Sequence, residues 1–498
     1  MQDVLIAGAG PVGLFLALRL AARGRSVRLV EASSAQSERS KALLLTPRTM
    51  ETFRIAGIAA PFETAAHRIL RATALTHRRI LGTLPLEPQQ SWYDYVAVVP
   101  HNVIERVLLD AFVAAGGAVD YDTKLVGLVD DPEGVNVRLA TPRGDEVARA
   151  RYVVGCDGAN SAVRRLIGFD FEPGAHDAAF VVADVDTVGD VPADELTLCF
   201  HESGLLAILP ITAKRRRIVA AVAADFEGAV TVDLANELIG ERGPWNLGAT
   251  RLHWGGRLRA GSRQTSGMQK GSIFLAGDAS HIFNPASGQG LNVGLQDAFN
   301  LAWKLDYAFA GFSTSGLLPT YALERHRVAN DLMRATDIGT WVIDSKNSIV
   351  RGLRDWAMPN VIESKRFQRS FLAQFSGLGA RYAGSPIVDG SGRRASDELV
   401  RSGERERRLY DVLDGRYLLV YPASCPVAVA EAFENFTRHY GGAVTAISSD
   451  EGGLPFVRLV RPDGYLALET AAGEDPTPAL ERLARILSTH VRRVGRAS

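Results

Sequence analysis

The chain opens with short apolar runs separated by glycine-rich turns. Val4–Ala7 is an apolar run typical of a buried strand, and Leu14–Ala22 has the apolar periodicity of a helix. A second apolar run at Val27–Val30 predicts another buried strand. Strand, helix and strand in this order predict a βαβ unit with a parallel sheet.

Two further buried strands are predicted in the middle of the chain, and each ends at an aspartate that is next to a glycine in the sequence. The run from Tyr152 stops at Asp157-Gly158, and Ile273–Ala276 stops at Gly277-Asp278. A helix start follows the first pair, and a helical pattern up to Leu305 follows the second. An Asp-Gly pair is often no more than a turn, so the pattern alone leaves both sites open.

The remaining patterns indicate two further structural regions. Alternating apolar residues predict strands within 71–99 and 176–265, and the basic segment Thr212–Arg217 is expected to be a solvated hairpin tip. Helical patterns dominate between Tyr321 and Phe375. The glycine-rich break Gly377–Gly384 is a candidate linker, and the segment after it, with its own strands and helices, is expected to be independent.

Composition excludes several classes of protein. The 498 residues are 46% hydrophobic, and 56 basic residues balance 56 acidic ones, which gives no support for a nucleic-acid or anionic-membrane partner. Cys156, Cys199 and Cys425 are far apart and fit neither a disulfide framework nor a metal site. No apolar run is long enough for a membrane span and no signal peptide is visible, so we expect a cytoplasmic protein.

The first glycine-rich turn carries the pattern of a dinucleotide-binding fingerprint. Gly8 allows a tight turn, Gly10 lets the backbone approach a pyrophosphate, and Gly13 lets the helix and strand pack closely. Glu31 follows the second strand about 18 residues after Gly13, near the spacing expected for a carboxylate that binds a ribose. A carboxylate here favours the free adenosine ribose of FAD or NAD over NADPH. The competing interpretation is a βαβ unit without a ligand.

The central stretch has chemistry of its own. Asp278 stands at the end of a strand, where its carboxylate can accept hydrogen bonds from sugar hydroxyls. Gly288 and Gly290 lead into a helix, whose first N–H groups stabilise a nearby anion. The glycines alone could equally serve only the geometry of the turn. Arg39 and Lys41, in a loop, are by themselves typical of a solvated surface.

Taken together and in this order, the three motifs resemble the FAD-dependent aromatic hydroxylases, the single-component flavoprotein monooxygenases of the p-hydroxybenzoate hydroxylase type. The runs Leu275–His281, Gly288–Asn292 and Asp297–Leu305 resemble that family closely. The length of the chain and Val457–Tyr465 resemble its bacterial polyketide hydroxylase branch.

The resemblance implies an α/β fold in three parts. A Rossmann-like FAD-binding domain of the glutathione-reductase type is expected over 1–70, 100–175 and 266–380. A substrate-binding β-sheet domain is expected over 71–99 and 176–265. A thioredoxin-like α/β domain without Cys-x-x-Cys is expected over 385–498, where Ser424-Cys425-Pro426 offers no second cysteine for dithiol exchange.

Carried over by position, the motifs assign parts of FAD to parts of the chain. The first turn and Glu31 would hold the ADP half, and Asp278 would bind the ribityl chain. Pro285, Gly288, Gln289 and Gly290 would form the loop beside the isoalloxazine. The residues expected to contact the cofactor are Gly8, Ala9, Gly10, Pro11, Val12, Gly13, Glu31, Arg39, Lys41, His101, Leu125, Asp157, Gly158, Gly277, Asp278, Pro285, Gly288, Gly290, Leu291 and Asn292.

Three positions depart from the family pattern. Lys41 stands where many relatives have Arg, which removes a bidentate phosphate contact but keeps the charge. His101 stands where a ribityl-binding Gln is usual, and Asn284 replaces a frequent Pro. These changes put the pyrophosphate, ribityl and flavin-loop contacts in question.

The resemblance implies an enzyme that uses NADPH or NADH to reduce FAD and O2 as co-substrate. A flavin C4a-hydroperoxide would hydroxylate a phenolic or polycyclic, polyketide-like aromatic molecule, as in polyketide tailoring for antibiotic biosynthesis. No catalytic base is assigned. His201, His253 and Arg217 are candidates for the substrate pocket, and the competing interpretation, a structural or surface role, is favoured for each. Alternatives are a Baeyer–Villiger-type oxygenase, a flavin dehydrogenase, or a flavin-binding scaffold that recruits a pathway partner. A monomer or homodimer is expected.

Overall fold

The structure is a computed structural model of the 498-residue chain. It describes residues 1–36, 43–76, 79–88, 91–172, 178–244, 246–284, 288–343, 347–402, 405–449, 456–471, 473 and 475–492.

The first third of the chain builds most of a parallel sheet and the helices that cover it. Its elements are β1 (Gln2–Ala7), α1 (Pro11–Ala21), β2 (Val27–Val30), β3 (Leu44–Leu45), α2 (Pro47–Ile55), α3 (Ala59–Ala65), β4 (His67–Ile69), β5 (Arg71–Thr76), β6 (Arg79–Pro85), β7 (Val96–Val98), α4 (His101–Ala114), β8 (Val119–Asp120), β9 (Lys124–Asp131), β10 (Gly134–Thr141), β11 (Gly144–Gly155) and α5 (Ala162–Leu166).

The middle of the chain forms a second sheet and then returns to the first. Its elements are β12 (Ala178–Val188), β13 (Glu195–Phe200), β14 (Leu206–Pro210), β15 (Arg215–Val222), α6 (Val232–Arg242), β16 (Gly248–Ala260), β17 (Arg263–Gln264), β18 (Gln269–Lys270), β19 (Ile273–Leu275), a 3-10 turn (Gly277–Ala279) and β20 (His281–Ile282).

The last part is helical before it becomes mixed. Its elements are α7 (Gly290–Phe309), α8 (Pro319–Ile343), α9 (Ser348–Glu363), α10 (Lys365–Phe375), β21 (Leu399–Ser402), β22 (Arg405–Arg408), α11 (Leu409–Val412), β23 (Tyr417–Pro422), α12 (Val427–Arg438), β24 (Val444–Ser449), β25 (Phe456–Val460), β26 (Leu466–Ala471) and α13 (Thr477–His490).

The first sheet has the order of a dinucleotide-binding fold. Five parallel strands run in the order β19-β11-β1-β2-β8. The chain starts in the centre of the sheet, adds strands on one side of β1, and then adds the later strands on the other side. β10 pairs with β11, and β9 pairs with β10 in antiparallel fashion. The predicted strands and helices of this region are present, and the Rossmann-like expectation is confirmed.

The second sheet packs on one face against the short strands β3 and β7. Its seven strands run in the order β16-β12-β15-β14-β13-β5-β6, so it combines a short early segment of the chain with a long later one. β7 belongs instead to a small sheet with β3 and β4. One face of the large sheet packs on α6, a helix that the strand-like sequence pattern did not predict.

The basic segment at the start of β15 differs from expectation. Thr212 and Lys214 are exposed, as expected of a hairpin tip. Arg216 and Arg217 are buried, at 3% exposure each, so the prediction of a solvated tip is wrong for them. For Arg217 the physical reason is an opposite charge, since it is in register with Asp184 on β12 and the two side chains form an ion pair. Arg216 instead donates to Thr187 Oγ1 and to the carbonyl oxygen of Val191.

The C-terminal segment forms a third sheet in the order β22-β21-β24-β23-β25-β26. β23 and β24 are parallel and joined by α12, whereas β25 runs antiparallel to β23 and β26 antiparallel to β25. This order agrees with the thioredoxin-like expectation, and the assignment to that fold stays a prediction.

The C-terminal segment is less separate than its sequence indicated. Its residues Tyr410, Leu418 and Val460 share one buried cluster with Phe15 of α1 and Leu301 of α7. The glycine-rich break before it also packs inward, since Tyr382 is 3% exposed. None of the described helices is long and apolar enough to cross a membrane.

Candidate active site

The turn between β1 and α1 requires glycine at two positions. Gly8 has φ +103, and a Cβ there would collide with the backbone carbonyl oxygen of Cys156 on the neighbouring strand. A Cβ at Gly13 would collide with the carbonyl oxygen of Gly8. The turn, the helix and the sheet therefore approach as closely as the fingerprint predicts.

Two other glycines border open space at the same edge of the sheet. A Cβ added at Gly10 or at Gly158 meets no atom within 4 Å. Gly10 is also the N-cap of α1, and no side chain caps this helix. The first N–H groups of α1 have no acceptor within the helix, so this space suits an anionic group such as a pyrophosphate.

Glu31 lies directly beside this turn. Its Oε2 accepts a hydrogen bond from Ala9 N at 2.8 Å, and its Oε1 accepts one from Ser33 N at 2.9 Å. A carboxylate has about four acceptor positions, so Glu31 keeps capacity for ribose hydroxyls while the backbone fixes its orientation.

Two predicted cofactor residues present buried polar atoms without a protein partner. Asp157 Oδ2 caps α5 by accepting from Ala162 N at 2.7 Å and Val163 N at 3.1 Å, whereas its Oδ1 is buried and unpaired. His101 Nε2 lies 3.0 Å from Glu105 Oε1, and its Nδ1 is buried and unpaired. Buried polar atoms are rarely left unsatisfied, so these atoms fit a polar ligand such as FAD.

Asp278 lies where the first sheet meets α7. Its side chain is exposed, and a Cβ added at Gly290 would stand 3.8 Å from Asp278 Oδ1. The carboxylate is thus beside the start of the helix that would carry the isoalloxazine.

A buried cluster of Asp297, His281 and Arg325 holds the turn at Gly277–Ala279, and the sequence analysis did not identify it. Asp297 Oδ2 accepts from Gly277 N at 3.0 Å and lies 2.6 Å from His281 Nε2, while Asp297 Oδ1 accepts from Arg325 Nε at 2.7 Å. Burial alone would raise the pKa of Asp297, but His281 and Arg325 hold this pKa below its usual value. A charged residue inside an apolar-patterned helix was the available signal.

The side chain of Asn292 joins two helix starts. Asn292 Oδ1 accepts from Thr46 N at 2.9 Å and from Thr49 Oγ1 at 2.7 Å. Its Nδ2 donates to Leu44 O at 2.9 Å and to Gly288 O at 3.1 Å. The side chain is therefore committed to the protein, and only the backbone of Gly290, Leu291 and Asn292 offers unpaired helix-start N–H groups to a cofactor.

The remaining predicted residues differ in what the structure says of them. Arg39, Lys41 and Pro285 lie outside the described residues. Leu125 is 4% exposed and belongs to the buried core beneath the first sheet, so its cofactor role stays a prediction. Asn284 is also buried.

An apolar cluster fills the junction between the second sheet and Gly288–Gln289, the part of the predicted flavin loop that directly precedes α7. Phe180, Val182, Leu209 and Val219 of the sheet belong to it, together with Leu44 of β3. A Cβ at Gly288 would contact Leu44 Cδ1 at 2.9 Å, so the cluster reaches the loop that precedes α7. We call these residues and the others of their cluster the sheet junction. Its other members are Leu43, Ile69, Ala72, Leu86, Val96, Val98, Leu196, Ala207 and Ile211, with Leu198, Ala221, Trp254, Leu258, Phe371, Leu372 and Phe375 at its edge.

One ion pair lies beside this apolar face. Arg217 donates to both carboxylate oxygens of Asp184, at 2.7 and 2.8 Å, and its guanidinium is 5.5 Å from the Trp254 ring centroid. These residues occupy three neighbouring strands in register. His253 is at 2.8 Å from Asp186, and His201 lies 3.1 Å from Ser203 Oγ.

Helix α10 presents an aromatic stack to the same junction. Phe367, Phe371 and Phe375 stack with centroid distances of 5.9 and 5.4 Å. All three are only partly buried. The carbonyl of Phe375 accepts from Gln289 Nε2 at 3.1 Å, which ties the stack to the flavin loop.

The fold and the site define a flavoprotein, and comparison with known proteins shows its family. Residues 1–336 match the family described as FAD binding domain. The chain is 31% identical to rifampicin monooxygenase of Streptomyces venezuelae, over 97% of this chain and 98% of the relative. The chain therefore belongs to the flavin-dependent aromatic monooxygenases of this FAD-binding family, and it is an FAD-dependent enzyme.

Other relatives cover the chain equally well. It is 31% identical to the 12-dehydrotetracycline 5-monooxygenase/anhydrotetracycline 6-monooxygenase of Streptomyces rimosus, over 96% of this chain and 97% of the relative. The solved structure of the anhydrotetracycline hydroxylase OxyS from Streptomyces rimosus superposes with a TM-score of 0.79 at 29% identity, covering 97% of this chain and 98% of that chain. A ternary complex of aklavinone-11 hydroxylase with FAD and aklavinone gives a TM-score of 0.78 at 25% identity, covering 98% and 99%.

Proposed function

We propose that the protein hydroxylates a fused-ring aromatic molecule, with NADPH or NADH as reductant and O2 as co-substrate. The observation that carries the substrate class is the sheet junction, where an apolar face and an aromatic stack meet the start of α7. Phenolic and polyketide-like molecules offer the planar apolar surface that this junction would cover. FAD supplies the oxygen chemistry when bound.

The length of the aromatic stack favours an extended substrate over a single ring. Phe367, Phe371 and Phe375 recur at every fourth residue of α10, so the stack extends about 12 Å along the helix. Offset-stacked aromatic pairs are favourable, and a fused-ring substrate could stack along the whole surface. The relatives named as rifampicin and anhydrotetracycline monooxygenases are named for large, multi-ring molecules, which agrees with a substrate of this length.

On the cofactor side, we assign the contacts as the motifs predict. Glu31 would hold the ribose of FAD, the α1 start its pyrophosphate, and Asp278 its ribityl hydroxyls. The backbone N–H groups of Gly290–Asn292 would stabilise negative charge on the isoalloxazine, because the start of α7 carries the positive end of the helix dipole. We also propose the three-domain division predicted above, including the thioredoxin-like C-terminal domain.

On the substrate side, the protein would exclude water and orient the ring. The buried side chains of the sheet junction keep water from the flavin face, which favours oxygen transfer over release of peroxide. The ion pair of Asp184 and Arg217 offers a fixed polar contact for a hydroxyl or keto group of the substrate. We assign no catalytic base.

The test is NADPH and NADH consumption by the FAD-loaded protein with simple phenols and with naphthacene-type aromatics, under labelled oxygen. We expect fused-ring compounds to stimulate NAD(P)H consumption and to gain one labelled oxygen atom as a hydroxyl group. Label inserted into an ester would mean Baeyer–Villiger chemistry, and oxidised product without label would mean a dehydrogenase. Stimulation by simple phenols alone would overturn the substrate class.

A second candidate is a flavin-binding protein that does not oxygenate. One solved structure with this fold is the Diels-Alderase PyrE3, with a TM-score of 0.76 at 26% identity. Binding of FAD without reduction by either nicotinamide would favour this second class or a scaffold that recruits a pathway partner.

We further propose a cytoplasmic monomer or homodimer. All three cysteines are free, as a reducing compartment would keep them. Size-exclusion chromatography with light scattering measures the oligomeric state, and a larger assembly would contradict the proposal.

A further inference from the structure

A turn in the C-terminal segment has its charged side chains inside the protein. The turn comprises residues 461–465, between β25 and β26, and we call it the junction turn. Arg461 is 0% exposed and Asp463 is 1% exposed. Buried charges are rare unless they are paired, so the partners of these two residues show what the turn holds.

The junction turn binds α7 and α8. Asp463 Oδ2 accepts from Asn300 Nδ2 at 3.1 Å and from Trp303 Nε1 at 3.2 Å. Arg461 donates to both carboxylate oxygens of Glu324, at 2.7 and 2.9 Å. The turn therefore contacts the helix whose start lies at the flavin loop.

The same turn also binds α2. Arg48 Nη2 donates to the carbonyl oxygen of Asp463 at 2.6 Å, and its guanidinium lies 4.7 Å from the Tyr465 ring centroid. Arg48 pairs with Glu51 at 3.1 Å, and Glu51 pairs with Arg394 of the C-terminal segment at 3.0 Å. Three helices of the predicted FAD-binding domain, α2, α7 and α8, are thus held by one C-terminal turn.

Of these helices, α2 and α7 meet at the first turn of α7, where the isoalloxazine of FAD is predicted to bind. Thr46 and Thr49, at the start of α2, donate to the Asn292 side chain in the first turn of α7. Asn300 lies eight residues further along the same helix, about 12 Å from Asn292. A helix is stiff over this distance, so a shift of α7 at Asn300 would move its first turn as well.

We propose that Arg461 and Asp463 are positioning residues that keep the first turn of α7 aligned on FAD. This inference rests on the proposed FAD site, and it gives the C-terminal domain a role in the reaction. A buried ion cluster loses these directional contacts when its members move, so the pairs of Arg461 and Asp463 fix the helices more sharply than apolar packing does. Misalignment of the helix start would weaken FAD binding and release reduced oxygen as peroxide before transfer.

The test is Asp463→Asn, with Asp389→Asn as the matched control. Asp389 pairs with Arg482 in the same domain, but its side chain is 38% exposed and the pair lies outside the junction turn. The FAD dissociation constant, measured by flavin fluorescence, is expected to rise about tenfold for Asp463→Asn and to stay unchanged for the control. The amount of peroxide formed per NAD(P)H consumed is expected to rise in parallel.

A variant that only destabilises the fold gives a different result. If Asp463→Asn lowers the unfolding temperature but leaves the FAD dissociation constant within about twofold of the wild type, the proposal is overturned. If Asp463→Asn does not fold, Trp303→Phe removes one hydrogen bond and is expected to weaken FAD binding about threefold. An unchanged constant in Trp303→Phe would then overturn the proposal.

The route through α7 has its own check. The effects of Asp463→Asn and Trp303→Phe on the FAD dissociation constant are expected to be non-additive, since both act on one contact. Additive effects would overturn this route. Failure of the proposed hydroxylation would appear in the wild type as NAD(P)H consumption without oxygenated product, whereas FAD affinity tests the positioning role independently.

Discussion

The first sheet and its helices meet the second sheet and the C-terminal segment through contacts of different character. The sheet junction is built mainly from apolar side chains such as Phe180 and Val182. The C-terminal segment also shares apolar clusters with α1 and α7, but it adds Arg461 and Asp463 to a buried ionic cluster with Glu324. Apolar contacts are non-directional, whereas the added ionic contacts depend on the pairing of charges.

This difference fits the two tasks of the molecule. Apolar contacts tolerate small displacements, so the sheet side can adapt to a substrate that enters between the sheet and the flavin. Buried charges lose their partners when they move, so the C-terminal side holds its position. The proposed substrate region and the proposed cofactor support are therefore built from different kinds of contact.

The largest expected effect comes from breaking the charged interface. Glu324→Gln leaves Lys304 without its carboxylate and Arg461 with Asp463 alone, and we expect a loss of about 3–5 kcal/mol in the free energy of unfolding. Burial raises the pKa of Glu324, but the two cations outweigh burial and hold this pKa far below its usual range, so the carboxylate is charged at neutral pH. Urea denaturation measures the loss.

The control for this change is Glu469→Gln. Glu469 pairs with Arg393, whose side chain is 40% exposed, and with Arg458, so its loss is expected to cost below about 1 kcal/mol. Equal losses for the two variants would mean that the buried cluster fixes the interface no better than a half-exposed pair.

The sequence predicted the parts of the site that depend on local geometry. The turn of Gly8 and Gly13, with Glu31 after β2, follows from spacing and from strand–helix alternation, because these requirements lie within about 30 residues. The same holds for Gly277-Asp278 at the end of β19.

The sequence did not predict the contacts between distant segments. The pairing of Arg461 with Glu324 joins residues 137 positions apart, and Arg217 is buried only because Asp184 on another strand faces it. Charged residues are usually exposed, so the pattern alone favours a solvated position. The helix α6 was also missed, since its surroundings alternate like strands.

A second, smaller effect separates the two faces of β12. Val182 faces the sheet junction and Val181 faces α6, and both are buried. We expect Val182→Ala and Val181→Ala each to lower the free energy of unfolding by about 2 kcal/mol, since each deletes two buried methyl groups. Only Val182→Ala is expected to raise the peroxide fraction in the presence of substrate.

The matched pair isolates the function of the junction from its stability. Both quantities come from urea denaturation and from parallel assays of NAD(P)H, peroxide and product. A rise in peroxide of the same size for Val181→Ala would show that the apolar face near the flavin has no special part in excluding water.

The smallest expected effect concerns mild acid, and it should act first on the C-terminal side. His490 is buried, and its Nε2 lies 2.8 Å from Tyr417 Oη. Burial, together with the charges of Arg461 and Lys304, lowers the pKa of His490 to about 3. In the unfolded chain the imidazole takes up a proton below about pH 6.5, whereas the folded protein resists this until about pH 3.

Since the unfolded state binds more protons in this window, the folded state loses stability as the pH falls from about 6.5. We expect a loss of about 1.5 kcal/mol by pH 5 from this group, and a correspondingly flatter profile in His490→Gln. His439→Gln, at an exposed position directly after α12, is the control and should leave the profile unchanged. Hydrogen exchange at pH 5 should then show faster opening in β23 and α13 than in β12 and β15. The reverse order would mean that acid opens the apolar interface first, and that the charged one is not the pH-sensitive side of the molecule.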